Sequence, residues 1–205
     1  MKTMNKLDAA YWSERYSSLQ IGWDTGGITT PLKEYFDQLE NKDIAILIPG
    51  CGNGYEAEYL FNNGFKNVWV VDLAKEPLIN LKKRCPMFPD DQLINGDFFN
   101  VEKKFDLIVE QTFFCALHPS MRADYVKMAH QLLNPNGKLM GLLFNCELND
   151  EFPPFGGSKD EYVQYFEEHF EFDVFAEAYN SIKPRAGSEL FILLRKMNQL
   201  RNSQE

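Results

Sequence analysis

Residues Ile44-Ala45-Ile46-Leu47-Ile48 form an unbroken apolar run that stops at Pro49-Gly50, and Gly50, Gly52 and Gly54 then fall within five residues. An apolar run this short, closed by a turn signal, reads as a strand buried on both faces. Helical spacing follows from about Tyr55 to Asn63, with Ala57, Leu60 and Phe61 on one face, and Gly64 closes it before a second strand at Val68-Trp69-Val70-Val71. Strand, glycine loop, helix and strand make a βαβ unit, which commits the chain to a parallel sheet covered by helices.

The alternation continues along the chain. Helices are expected at about Pro77 to Cys85 and Ser120 to Leu133, with strands at Gln92 to Ile94, Phe105 to Val109 and Gly137 to Phe144. Beyond a helix at about Lys159 to His169, two longer β-like runs, Glu171 to Tyr179 and Ser188 to Arg195, are joined by a polar link that permits an antiparallel pair. Before the first strand, helical patterning at Asp8 to Ser18 and Thr30 to Leu39 flanks the turn-rich stretch Gly22 to Gly27. The sequence therefore predicts one α/β domain over 1–197, with 1–40 as an N-terminal segment covering the ligand and 198–205 as a disordered tail.

Charge and cysteines narrow the function classes. Among 205 residues, 21 Lys+Arg stand against 30 Asp+Glu, a net charge of −9 that argues against a nucleic-acid footprint. Cys51, Cys85, Cys115 and Cys146 include no C-x-x-C pair, so a zinc knuckle or thioredoxin motif is not expected. With no signal-peptide pattern at the start and no apolar stretch of membrane-spanning length, the expectation is a cytoplasmic monomer acting on a small molecule, without a metal.

The glycine loop lies beyond the carboxyl end of the first strand, where open α/β sheets bind ligands. A dinucleotide fingerprint reads G-x-G-x-x-G, with a helix N-terminus receiving the pyrophosphate. Here the run is G-x-G-x-G, and Glu56 and Glu58 follow in the first helical turn, where they would repel phosphate. S-adenosylmethionine, which has a ribose diol and a cationic methionine end but no phosphate, fits better. Asp72 at the end of the second strand suits the ribose hydroxyls, and Gly96-Asp97-Phe98-Phe99 adds a carboxylate and an amide at the adenine edge. Trp12, Tyr16 and Trp23 are aromatic faces suited to a sulfonium, and the same rings can also staple a helix onto the domain.

Trp12-Ser13-Glu14-Arg15-Tyr16, Trp23-Asp24, Thr30-Pro31, Pro49-Gly50-Cys51-Gly52, Asp72-Leu73, Gly96-Asp97-Phe98-Phe99 and Phe105-Asp106-Leu107-Ile108 occur in this order. With Phe113 to Pro119, Met121-Arg122, Leu132 to Gly137 and Pro153-Pro154, the sequence resembles the thiopurine S-methyltransferase superfamily over about residues 8–196. The thiol/halide methyltransferase branch is the nearest match. The resemblance implies a Rossmann-like methyltransferase domain with a mostly parallel seven-stranded sheet, an antiparallel C-terminal strand pair and an N-terminal helical lid. It also implies that Trp12, Tyr16 and Trp23 close over S-adenosylmethionine and that Gly50 contacts its methionine part, with Gly52 a further cofactor-binding residue of the same loop. Asp72 would hold the ribose, Asp97 and Phe98 would flank the adenine, and Gln111 would contact the methionine end. Three positions depart from the branch: Tyr16 replaces a second tryptophan, Gln111 a tyrosine or arginine, and Phe152 a glycine.

Methyl transfer from a sulfonium is an in-line displacement that depends on alignment and water exclusion, so a soft nucleophile such as a thiol, sulfide or halide needs no strong base. The expected acceptor wall is Phe113, Phe114, Phe152, Pro153, Pro154, Phe155 and Tyr179, with Arg185 orienting an anion. Phe113 and Phe114 read equally as core. His118 is the one candidate base, although a cap or loop-packing role suits it better, and Cys115 reads as a buried small residue. The alternatives are a non-catalytic binder of S-adenosylmethionine or S-adenosylhomocysteine and a methyltransferase for another small-molecule acceptor, with a nicotinamide oxidoreductase a distant third. Phe152-Pro153-Pro154-Phe155 begins with Phe and follows the fifth strand, which argues against a nucleic-acid amino-methylating enzyme.

Overall fold

The structure is a computed structural model and describes residues 7–198, so the tail expected at 198–205 lies almost wholly outside the described residues. The backbone forms two compact units that divide after Val101. The described residues form seven strands, three in the first unit and four in the second.

The first unit runs α1 (Ala9–Ser17), α2 (Thr30–Asp37), β1 (Ile46–Pro49), α3 (Tyr55–Asn62), β2 (Val68–Asp72), α4 (Lys75–Arg84) and β3 (Leu93–Asn95). β1 is parallel to β2 from Ile46 opposite Val68 to Pro49 opposite Val71, and β2 is parallel to β3. Ile46, Leu47, Ile48, Val68, Val70 and Val71 are all buried, which accounts for uninterrupted apolar runs rather than alternation. Asp8 starts α1 by accepting a hydrogen bond from the Tyr11 N–H at 3.1 Å, satisfying one of the unpaired donors of a helix start. Gly54 precedes α3 at φ 72°, and a Cβ there would lie 2.9 Å from Leu81 of α4. Glycine at this position lets the loop turn and the two helices approach.

The second unit runs β4 (Phe105–Gln111), α5 (Arg122–Leu132), β5 (Leu133–Phe144), α6 (Lys159–Phe166), β6 (Phe170–Glu177) and β7 (Glu189–Lys196). The order is β4-β5-β7-β6, with β4 and β5 parallel and both pairings of β7 antiparallel, as the link between the last two runs permits. β5 starts four residues earlier than the turn-rich Asn134-Pro135-Asn136-Gly137 suggests. Leu133 pairs with Phe105, and the turn is absorbed as a register shift with Asn136 at φ 61°. Phe114 packs edge-on against Tyr125 and Tyr162, each at 5.3 Å between ring centroids, and Phe166 continues the cluster to Phe170.

Candidate functional site

Beyond Pro49 the backbone takes the left-handed region at Gly50, Gly52 and Gly54, and the Gly54 N–H closes the turn on the Cys51 carbonyl at 3.0 Å. The Gly52 N–H donates to Asp72 Oδ2 at 3.1 Å, and the Ala74 N–H donates to Asp72 Oδ1 at 2.9 Å. Asp72 is thus fixed against the glycine loop by two amides. Burial raises its pKa to about 6, while the two amide bonds pull the other way. A raised folded-state pKa makes a stability contribution that is present below the ordinary carboxylate value and lost as pH rises through about 6. At neutral pH a charged acceptor therefore stands beside the loop at some cost to stability. Asn95 Nδ2 donates to the carbonyls of Asp72 and Leu73, which ties the end of β3 to the same place.

Next to β3, exposed Asp97 accepts from the Phe99 N–H at 3.0 Å and starts a short turn in which the Phe98 ring is buried against Phe99. Glu56 and Glu58 occupy the first turn of α3, so a pyrophosphate would meet negative charge there.

The aromatic trio assembles over this loop. Trp23 lies edge-on to Trp12 at 5.6 Å and to Tyr16 at 5.8 Å. The Tyr16 hydroxyl is 3.4 Å from where a Cβ on Gly52 would stand, so the ring in the place of a second tryptophan reaches the glycine loop directly. Burial and then the Asp72 charge push its pKa up, keeping the phenol neutral. Ser13 Oγ donates to Glu76 Oε2 at 2.9 Å and anchors α1 to α4.

Sequence reasoning missed the clasp on the turn-rich stretch. Asp24 accepts from its own Gly26 N–H at 2.7 Å, from the Tyr55 hydroxyl at 3.2 Å and from Asn53 Nδ2. Asn53 is held in turn by Asn80, and Arg84 donates to the Asn53 carbonyl while pairing with Glu58 at 2.7 Å. The available signal was Asp24 two residues before a glycine together with an amide side chain inside the glycine loop. Asp24→Ala should weaken S-adenosylhomocysteine binding about tenfold, or about 1.4 kcal/mol, in a calorimetric titration. Unchanged affinity would show that the clasp does not support the ligand.

In the second unit, Gln111 ends β4, and Thr112 turns the chain at φ 59°. The expected acceptor wall is only partly assembled. Phe114 is core, Phe155 is buried with its N–H on the Cys115 carbonyl at 2.7 Å, and Phe113 is half-buried against Tyr125. Tyr179 is 89% exposed, Phe152 is 53% exposed, and Pro154 is exposed after half-buried Pro153. Aromatic character suggested a wall for Tyr179 and Phe152, but the loops that carry them turn those side chains toward solvent. Arg185 is buried over the Phe144 ring and pairs with Glu189 at 3.3 Å, rather than standing at the surface.

His118 starts a short turn by accepting from the Ser120 N–H at Nδ1, the capping role its position suggested. Cys115 is buried, and burial pushes its thiol well above the ordinary range. The burial of Arg122 and of Glu110 was not expected from the sequence. Arg122, its guanidinium over the rings of both Phe114 and Tyr162, pairs with Glu161 at 2.6 Å and donates to the Gly156 carbonyl at 2.7 Å. Glu110 is fully buried near the end of β4. Its signal was a charged residue continuing an apolar strand.

Among the described residues, no group of three His, Cys, Asp or Glu is placed to hold a metal ion, and no helix is long and apolar enough to cross a membrane.

The architecture is shared with the Burkholderia thailandensis 1,6-didemethyltoxoflavin-N1-methyltransferase crystallised with S-adenosylhomocysteine. The match has a TM-score of 0.75 at 17% identity and covers 93% of this chain and 87% of that one. Parallel strands, a glycine loop after the first of them and an antiparallel return define a Rossmann-like methyltransferase fold. In sequence, the chain is 28% identical over 166 residues to the Arabidopsis thaliana protein named "Probable thiol methyltransferase 2", covering 78% of this chain and 73% of that protein. It is 27% identical over 180 residues to a thiopurine S-methyltransferase of Vibrio campbellii, covering 78% of this chain and 82% of that protein. The model of the thiopurine S-methyltransferase (TPMT) family matches residues 7–201. The chain belongs to this family and is an S-adenosylmethionine-dependent methyltransferase.

Proposed function

We propose that the protein methylates a small soft sulfur nucleophile, a thiol or sulfide, with halide as a further acceptor of the same kind. The observation that carries this reading is that the proton acceptors along the expected acceptor segment, His118, Cys115 and Glu110, are already committed. His118 caps a turn, Cys115 is a buried neutral thiol, and Glu110 accepts three hydrogen bonds. A nucleophile that reaches the enzyme as an anion, or nearly so, needs none of them. The relatives named thiol methyltransferase and thiopurine S-methyltransferase agree with a sulfur acceptor.

In this reading Asp72 accepts from the ribose hydroxyls and Gly50 and Gly52 face the methionine part. Asp97 and Phe98 flank the adenine, and Gln111 meets the methionine end. Trp12, Tyr16 and Trp23 keep water from the site and offer aromatic faces to a cation. Bound S-adenosylmethionine would supply a methyl carbon on a positively charged sulfur. Phe113, Pro153 and Phe155 shape the acceptor side, and Arg185, already paired with Glu189, contributes a cation whose charge is largely balanced. The exposure of Phe152 leaves its replacement of glycine without a filled pocket to explain, which weakens the reading of a binder that lost its acceptor. We place the enzyme in the cytoplasm as a monomer, a compartment in which the four free cysteines stay reduced.

The test is S-adenosylhomocysteine formation in thiol-free buffer with bisulfide, an aromatic thiol, a thiopurine, iodide and a phenol at matched concentrations. Turnover with the sulfur compounds and not with phenol is expected. Equal turnover with phenol, or no product above the enzyme-free rate across the panel, would contradict the proposal.

A further inference from the structure

Glu110 is a carboxylate with no exposed surface, placed one residue before the end of β4. Its Oε1 accepts from the N–H of Phe113 at 2.7 Å and of Phe114 at 2.9 Å, and its Oε2 accepts from the Tyr125 hydroxyl at 2.7 Å. These bonds bridge three parts of the unit: the end of β4, the turn that begins after Thr112, and α5. The turn is in turn the support for the proline loop, because the Cys115 carbonyl accepts from the Phe155 N–H at 2.7 Å. One side chain therefore fixes Phe113 and Phe114 directly and Phe155 at one remove.

We propose that Glu110 is a positioning residue for the acceptor segment, holding Phe113 to Cys115 in place and thereby setting affinity for the methyl acceptor. The proposal rests on the acceptor reading above, and its test separates the two. A carboxylate serves here because charge-assisted hydrogen bonds are roughly twice as strong as neutral ones. Holding that charge in the interior is costly: burial raises the pKa of Glu110 to about 7, and its three hydrogen bonds oppose the rise. The stability contribution of Glu110 is therefore present below the ordinary carboxylate pKa and lost as pH rises through about 7. Global stability and local grip consequently respond to pH in opposite directions. The titratable groups facing Glu110 are Tyr125 from α5 and Cys115 from the turn, both held neutral by burial with the Glu110 charge adding to the effect. When protonated, Glu110 can still accept both amides at Oε1, more weakly, and can donate from Oε2 to the Tyr125 oxygen. Glu110→Gln reproduces that neutral arrangement, with its amide nitrogen donating to Tyr125.

The experiment compares wild type, Glu110→Gln and Tyr125→Phe by hydrogen exchange of the 112–117 segment, by acceptor KM and kcat, and by S-adenosylhomocysteine affinity, across pH 6 to 8. In wild type the segment should lose about tenfold protection, corrected for intrinsic exchange, as pH falls through about 7. Glu110→Gln should sit at the low-pH level throughout. Its acceptor KM should rise about tenfold, with S-adenosylhomocysteine affinity unchanged within about twofold. Tyr125→Phe, which removes one donor and leaves the carboxylate, should move the transition to higher pH. Wild-type protection and an unaltered pH profile in Glu110→Gln would overturn the proposal, as would an unchanged acceptor KM. If Glu110→Gln does not fold, an unmoved transition in Tyr125→Phe overturns it. The exchange measurement needs no acceptor, so failure of every sulfur nucleophile in wild type would remove the acceptor reading while the exchange profiles still decide whether Glu110 holds the turn.

Discussion

Replacing Asp72 with alanine is expected to weaken S-adenosylhomocysteine binding by about a hundred- to a thousandfold. Asp72 ends β2 with both carboxylate oxygens fixed, one on the Gly52 N–H and the other on the Ala74 N–H, and each oxygen retains a lone pair for a ribose hydroxyl. Hydrogen bonds to a charged group contribute about 1.5–3 kcal/mol each, so losing two from the lower half of that range, about 3–4 kcal/mol together, is worth two to three orders of magnitude. The substitution also releases the glycine loop from its tie to β2. Asp72→Asn keeps the shape and one acceptor oxygen, and should fall between wild type and alanine. Wild-type affinity should decline as pH drops through about 6, where Asp72 takes up a proton, and Asp72→Asn should lack that decline. Isothermal titration of the three proteins at two pH values reads all of these effects. Affinity within threefold of wild type in the alanine variant would remove Asp72 from the cofactor site.

Gly141→Ala should cost the fold about 3 kcal/mol or more, and cells producing it should yield little folded protein. Gly141 sits in β5 directly across from Glu110 of β4, and a Cβ on it would overlap the Glu110 carbonyl oxygen and stand 2.7 Å from its carbonyl carbon. Nothing flexible lies there to move, because both backbones belong to neighbouring strands of one ladder. Relief requires those strands to separate where Glu110 grips the next turn. Gly22→Ala is the matched control: it has no atom within 4 Å of a built Cβ and should leave the thermal midpoint in place. A midpoint for Gly141→Ala within about 2 °C of wild type would show that the ladder accommodates the methyl group, since each kcal/mol moves the midpoint of a domain of this size by about 2–4 °C.

Periodicity carried much of the architecture. The uninterrupted apolar run at β1 could only be a strand buried on both faces, and three closely spaced glycines after it left little choice for the turn. The start of β5 was not legible, because Asn134-Pro135-Asn136-Gly137 has the composition of a free turn and only its pairing with β4 makes it strand. In the first unit the aromatic trio and Asp72 come together around the glycine loop as the order of motifs suggested. The Asp24 clasp was only partly legible: its turn onto Gly26 and the amide of Asn53 leave a local signal, but Tyr55, Asn80 and Arg84 are ordinary polar residues that only the fold brings onto one carboxylate and one amide. The second unit shows the converse. Aromatic residues near a strand end invite the reading of a pocket wall, yet burial, which no local pattern encodes, sends Phe114 inward and Tyr179 outward. Buried charges behave likewise, since Glu110 and Arg122 look like surface residues until their partners at Tyr125 and Glu161 are seen.

Methyl transfer to sulfur is decided by mass spectrometry of the product formed from bisulfide and S-adenosylmethionine carrying a deuterated methyl group. A deuterated methyl group on sulfur is expected, formed one for one with S-adenosylhomocysteine and strongly reduced in Asp72→Ala at a limiting concentration of S-adenosylmethionine. A label found only on oxygen or nitrogen acceptors, with none on sulfur under the same conditions, would contradict it.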